Sequence, residues 1–117
     1  MKNFIGVVTI ILLSLSAFAN TPGTHTVSLT WNGCASGSCT YNIYRSTTAG
    51  ACNGTPTPYA TGVATNSYVD TNVSSSTTYF YDTTEVVSGS ESLCSNEAQA
   101  VTPATPPTPT NLTSVVH

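Results

Sequence analysis

Four cysteines, two histidines and five acidic residues supply most of the side chains in this 117-residue chain that could do chemistry. Thiolates could hold zinc, but Cys34, Cys39, Cys52 and Cys94 lack the closely paired spacings of a zinc knuckle. A local disulfide is the better use of Cys34 and Cys39, which bracket Ala35-Ser36-Gly37-Ser38, where glycine relaxes the turn. Cys52 and Cys94 are then left for each other, and closing so long a segment is worth about 4 kcal/mol in the chain-entropy model. His25 and His117 lie near the ends, beside neither a nucleophile nor a carboxylate pair, and a Ser or Thr near an acid means nothing in a chain so rich in both. Asp82 and Glu85, three apart in one extended run, face opposite sides and make no glycosidase-like pair. No glycine-rich phosphate loop or calcium-loop spacing occurs. The chain therefore predicts no catalytic residue, no metal and no cofactor.

Aromatic side chains are the remaining candidates for ligand contact. Tyr44, Tyr59 and Phe80 would offer flat rings to pyranose sugars if they faced outward. Cross-strand packing is the commoner use of such rings on a sheet, and nothing else marks a binding groove.

The compartment is legible at the start of the chain. Residues 1–19 read as a secretory signal: Lys2, an apolar run from Phe4 to Leu15 too short for a stable span, and the cleavage pattern Ala17-Phe18-Ala19. Export to an oxidising compartment, extracellular or periplasmic, makes two disulfides the natural state of four cysteines. Past residue 19 the only Lys or Arg is Arg45, against Asp70, Asp82, Glu85, Glu91 and Glu97. Such a balance gives no footprint for nucleic acid or for an anionic membrane. What remains after the leader is one small domain that gains from covalent staples.

The elements that must position these residues are strands. No helical period is sustained, whereas short alternating runs recur between Gly, Asn and Pro punctuation. Val27, Leu29 and Trp31 alternate with Ser28 and Thr30; Tyr41 to Arg45, a weak edge at Pro58 to Thr61, Asn66 to Asp70, Thr77 to Val87 and Ser95 to Val101 follow. Regular short strands of this kind predict an all-β, immunoglobulin-like antiparallel sandwich.

In order and spacing, HTVSLTW, TYNIYRSTTAG, NSYVDTNV, STTYFYDTTEVV and ESLCSNEAQAVTP resemble strands B, C, E, F and G of a fibronectin type III domain of the bacterial exported kind. The resemblance implies that Trp31 is the core tryptophan, that Tyr41 and Ile43 point inward, and that Tyr79 returns its hydroxyl to upstream backbone at the corner between strands E and F. Thr83 and Glu85 depart from the family's small apolar inward residues, and an exposed strand end there is the favoured reading. The same layout sets Cys52 and Cys94 toward opposite poles, so the loop after strand C must fold back to join them. Cys34 or Cys39 with Cys94 is the competing connectivity.

The end of the chain adds a second strand signal. Residues 20–102 make the sandwich, residues 103–109 a Pro/Thr-rich linker, and residues 110–117 a segment that resembles strand A, with Leu112, Val115 and Val116 as its apolar residues. Leu112 and Val115 cannot both keep a period of two without a bulge. A strand is thus wanting before strand B and spare after strand G. The tail can pair with its own strand B, open a further domain, or complete a neighbouring copy by strand addition. These readings together predict a non-catalytic extracellular structural or adhesive module, able to self-assemble by donating its C-terminal strand to another copy. The alternative is an accessory module of an exported hydrolase or surface protein that binds carbohydrate or a protein partner.

Overall fold

The computed structural model describes residues 9–11, 25–34 and 37–117. Its elements are all strands: β1 (Thr9–Ile11), β2 (His25–Thr30), β3 (Thr40–Ser46), β4 (Ala60–Val63), β5 (Ser67–Val73), β6 (Thr78–Val87), β7 (Ser90–Glu91) and β8 (Ala98–Val101). All pairings are antiparallel, and they form two sheets. One has the order β1-β2-β5; the other has β4-β3-β6, with β7 and β8 both on the far side of β6. No helix among the described residues is long and apolar enough to cross a membrane.

The alternation that marks the strands also builds the core. Val27, Leu29 and Trp31 come from the first sheet, and Tyr41, Ile43, Tyr79, Tyr81, Ala98 and Ala100 from the second. Trp31 meets Tyr41 edge to face, with centroids 5.0 Å apart. Small alanines on β8 let the tyrosines of β6 fill the space between the sheets, as close packing requires.

Strand G is split, and hydroxyls bridge the gap. Between β7 and β8 the chain leaves β6, yet Ser92 N–H reaches the Glu85 carbonyl at 2.8 Å and Ser95 N–H the Thr83 carbonyl at 2.8 Å. In return the Ser92 and Ser95 hydroxyls accept the Glu85 and Thr83 N–H groups at 2.9 and 3.0 Å. Backbone groups that a continuous ladder would pair are thereby satisfied by side chains.

The turn from β5 to β6 is fastened on both sides. Tyr79 Oη accepts the Ser74 N–H at 2.9 Å, five residues upstream. Ser76 turns the chain with φ 51°, and buried Thr102 closes the corner: its N–H bonds the Thr77 carbonyl and its hydroxyl accepts the Thr77 N–H, both at 2.9 Å. Strand G therefore leaves the sandwich at a fixed point, beside this corner.

The exposed strand end expected at Thr83 and Glu85 is not what forms. Thr83 is buried and its hydroxyl donates to the Asn42 carbonyl at 2.9 Å, which gives an inward polar group a partner on the neighbouring strand. Glu85 is half-buried beside the sulfurs of Cys34 and Cys39. The sequence reading of residues 1–19 as a leader falls outside the described residues except at Thr9–Ile11, which pair with β2.

Replacing Tyr79 by Phe keeps the ring but removes the acceptor for Ser74 N–H. The expected loss is about 1–2 kcal/mol of unfolding free energy in a urea titration, with an unchanged slope.

Candidate functional site

Between the sheets the chain places Arg45, its only Lys or Arg past residue 19. Arg45 on β3 points inward in phase with Tyr41 and Ile43, and Asp70 on β5 points inward in phase with Tyr68. Arg45 Nη1 meets Asp70 Oδ2 at 2.8 Å and also donates to the Asn72 carbonyl at 2.8 Å. Asp70 Oδ2 takes the Tyr81 hydroxyl at 2.8 Å, while Oδ1 takes the Tyr59 hydroxyl at 3.1 Å and the Asn72 N–H at 3.0 Å. The guanidinium lies over the Tyr59 ring, 3.8 Å from its centroid. Burial works to raise the Asp70 pKa, but the hydrogen bonds from Arg45, Asn72 and Tyr81 and the charge of Arg45 outweigh it and hold the carboxyl below its ordinary range. Tyr81 is pushed up, by burial first and by the carboxylate it donates to. This closed set of donors and acceptors locks the two sheets together.

The outer face of β3 and β6 is covered rather than open. The loop after β3 folds back over it: Glu97 accepts the Gly50 N–H at 2.7 Å and the Ala51 N–H at 2.9 Å. Gly50 has φ +92°, in the left-handed region where a side chain is strained, so the turn favours glycine there. That fold-back brings Cys52 to Cys94, with Cα atoms 6.4 Å apart, and the pair is bonded; Cys34 and Cys39 form the other disulfide. A shallow pocket of about 470 Å³ lies here, lined by Gly50, Asn53, Asp82, Ser95, Glu97 and the disulfide. Asp82 is buried beneath the loop and hydrogen-bonded to Glu97; burial, then the neighbouring charge and that hydrogen bond, push its pKa up to about 6. Sequence reasoning weighed Asp82 against Glu85 and missed Glu97, which only the fold-back brings near.

A second polar cluster sits farther along the same face. Glu91 Oε1 accepts the Tyr44 hydroxyl, the Thr84 hydroxyl at 2.6 Å and the Asn42 amide at 3.1 Å. These donors draw the Glu91 pKa down, with Thr84 the leading cause. On the core side, Glu85 Oε2 is buried without a partner among the described residues, and a carboxylate oxygen of Glu85 lies within 4.8 Å of the Cys34 and Cys39 sulfurs. The sulfurs are joined to each other, so they offer no thiolate to a metal.

Of the rings considered as ligand-facing, Tyr44 and Tyr59 are engaged within the protein, while Phe80 lies on the outer face. Tyr44 is buried with its hydroxyl on Glu91, because β7 delivers that acid over it. Tyr59 turns inward to Asp70 and Arg45, and Phe80 is half-buried on the outer face opposite Ser46. Trp31, Tyr41, Ile43 and Tyr79 are all buried in the core.

The open feature is the tail. Every residue from Pro103 to His117 is exposed, and no strand forms there. Leu112 is 97% exposed, Val115 74% and Val116 95%, against at most 71% for any other large apolar residue among those described.

No family model matches the sequence, and no curated protein does. Among solved structures, an Fn3-like protein from Clostridium thermocellum is similar at 32% identity and a TM-score of 0.61, with 86% of this chain and 96% of that one covered. The chain belongs to the fibronectin type III family. The domain of human fibronectin type III domain containing protein 3 shares the fold at 16% identity and a TM-score of 0.61, covering 89% of each chain. A human fourth FNIII domain does so at 15% identity and a TM-score of 0.62, with 95% and 88% covered. In fibronectin type III terms β1 stands at strand A, β2 at B, β3 at C, β5 at E, β6 at F, and β7 with β8 at G.

Asp82 gives this fibronectin type III domain a pH dependence with a definite sign. Its native pKa, about 6, lies above the ordinary 3.8, so the folded state binds the proton more tightly. That contribution is full below pH 3.8 and is lost as pH rises toward 6. Asp82→Asn, which keeps an acceptor for the backbone and gains a donor for Glu97, should raise stability at pH 7.5 by about 1–3 kcal/mol and leave it nearly unchanged at pH 4. Urea titrations at the two pH values check this; equal gains at both would contradict it.

Proposed function

We propose that this fibronectin type III domain is a non-catalytic, exported structural module that assembles with copies of itself by donating its C-terminal strand. The observation that carries the reading is the tail: a stretch of strand-forming, apolar residues held wholly in solvent at the end of a linker rich in proline. A monomer pays for such exposure and gains nothing from it. Strand addition removes it, since main-chain hydrogen bonds supply affinity and alternate side chains supply register.

Export is supported by the leader-like residues 1–19 and by the two disulfides, which persist in oxidising compartments. The absence of catalysis is supported by how the polar groups are spent. Asp70, Glu91 and Glu97 each hold backbone or tyrosine groups in place. The alternative, a carbohydrate- or protein-binding accessory module, has less support, because Tyr44 and Tyr59 are committed to Glu91 and Asp70.

Light scattering across a concentration series tests the reading. Protein freed of residues 1–19 should grow in mass with concentration, and the same protein lacking residues 110–117 should remain a monomer. A monomer of the former at every concentration would sink the assembly reading.

A further inference from the structure

β2 is an interior strand only because β1 lies along one side of it. On its other side the Trp31 N–H bonds the Asn66 carbonyl at 3.1 Å. Alternation along an antiparallel strand therefore turns the N–H groups of Ser28 and Thr30 toward β1. The register is Thr9 opposite Thr30, Ile10 opposite Leu29 and Ile11 opposite Ser28. Leu29 is buried, and directly opposed residues share a face, so the position opposite Leu29 looks into the core. All of β1 falls within residues 1–19, the stretch that export would remove. Processing would thus take away the strand that caps β2, and an uncapped edge is a template for another strand.

The tail fits the same place. With Leu112 opposite Leu29, Thr113 falls opposite Ser28 and Ser114 opposite Val27, and Val116 follows on the core face toward the His25 end. Val115 then faces solvent, which resolves the mismatch in period between Leu112 and Val115 without a bulge. Direction matters as much as phase. The incoming strand must enter beside Thr30 and run toward His25, since β1 is antiparallel to β2. The tail, however, leaves its own sandwich beside Thr77, at the corner after Val73, and Val73 is paired with His25. Exit and entry lie at opposite poles of one molecule. A second copy stacked end to end brings its entry to the first copy's exit.

We propose that the β2 edge covered by Thr9–Ile11 is the docking site for residues Asn111 to Val116 of a second copy, and that removal of the leader switches the chain from self-capped to assembling. The proposal rests on the assembly reading above and adds its acceptor and its trigger. Because the contact joins different surfaces of the two copies, it repeats without closing and builds a filament.

The test compares protein processed by a secreting host with precursor whose cleavage is blocked by Ala19→Tyr, using light scattering together with backbone amide exchange. Processed protein should assemble, and its Ser28 and Thr30 amides should exchange at least tenfold more slowly at high concentration than at low. Precursor should stay monomeric, with those amides protected at every concentration. In processed protein Leu112→Asp should abolish assembly, while Val115→Thr should not. Tail-dependent assembly without slower exchange at Ser28 and Thr30, or equal assembly of the precursor, would overturn the β2 docking site and leave the assembly reading standing. A processed monomer at all concentrations would overturn both.

Discussion

The pairing of Arg45 with Asp70 is the constraint around which the sandwich is arranged. It joins β3 of one sheet to β5 of the other, and it does so inside, where an ion pair is tolerated only with all its lone pairs and protons engaged. Asp70 meets that demand by taking two tyrosine hydroxyls, a backbone N–H and the guanidinium. The consequence runs outward from there. Tyr81 is a tyrosine in the centre of the core because its hydroxyl has a carboxylate to reach, and Tyr59 is drawn in from an edge position by the same acid. Phenylalanine at either place would fill similar volume and leave the acid short of a donor.

A core of this kind has few aliphatic residues, so the remaining cohesion comes from hydroxyls and amides placed where backbone needs them. Serines stand in for ladder partners where strand G breaks, Thr102 closes the corner between β5 and β6, and Glu97 holds the loop after β3 by two N–H groups. The Cys52 to Cys94 bond and the Glu97 contacts act on the same loop, one covalent and one electrostatic. Asp82 is the cost of that arrangement, since the fold-back buries one acid against another.

How much of this the sequence disclosed follows from how local each feature is. Strands β2, β3, β5 and β6 announce themselves by alternation, and Cys34 with Cys39 by a five-residue separation that a turn can close. Arg45 and Asp70 were legible in part: each continues the inward phase of its strand, with Ile43 and with Tyr68, and an opposite pair at inward positions is a signal that alternation alone could have raised. Tyr44 was not legible. Its phase is outward, and only the arrival of Glu91 on the short strand β7 covers it. The Asp82 and Glu97 contact depends in the same way on a loop path that no period encodes. Nor does the apolar run of residues 4–15 carry the alternation that would mark β1 as a strand.

The linker explains why a spare strand would be given away rather than kept. Pro103, Pro106, Pro107 and Pro109 lack the N–H that a ladder needs, so the chain beyond Thr102 cannot extend strand G as an ordinary hairpin partner. Proline also holds the segment extended, at about 3.1 Å per residue, which carries the apolar residues clear of their own sandwich. A flexible linker would pay more entropy to deliver the strand to a neighbour and would make return to its own β2 easier. Stiffness therefore biases the tail outward, while the corner at Thr102 fixes the pole from which it departs. In the assembly reading, direction of growth is set by these two features together, before any side chain of the donor strand meets its acceptor.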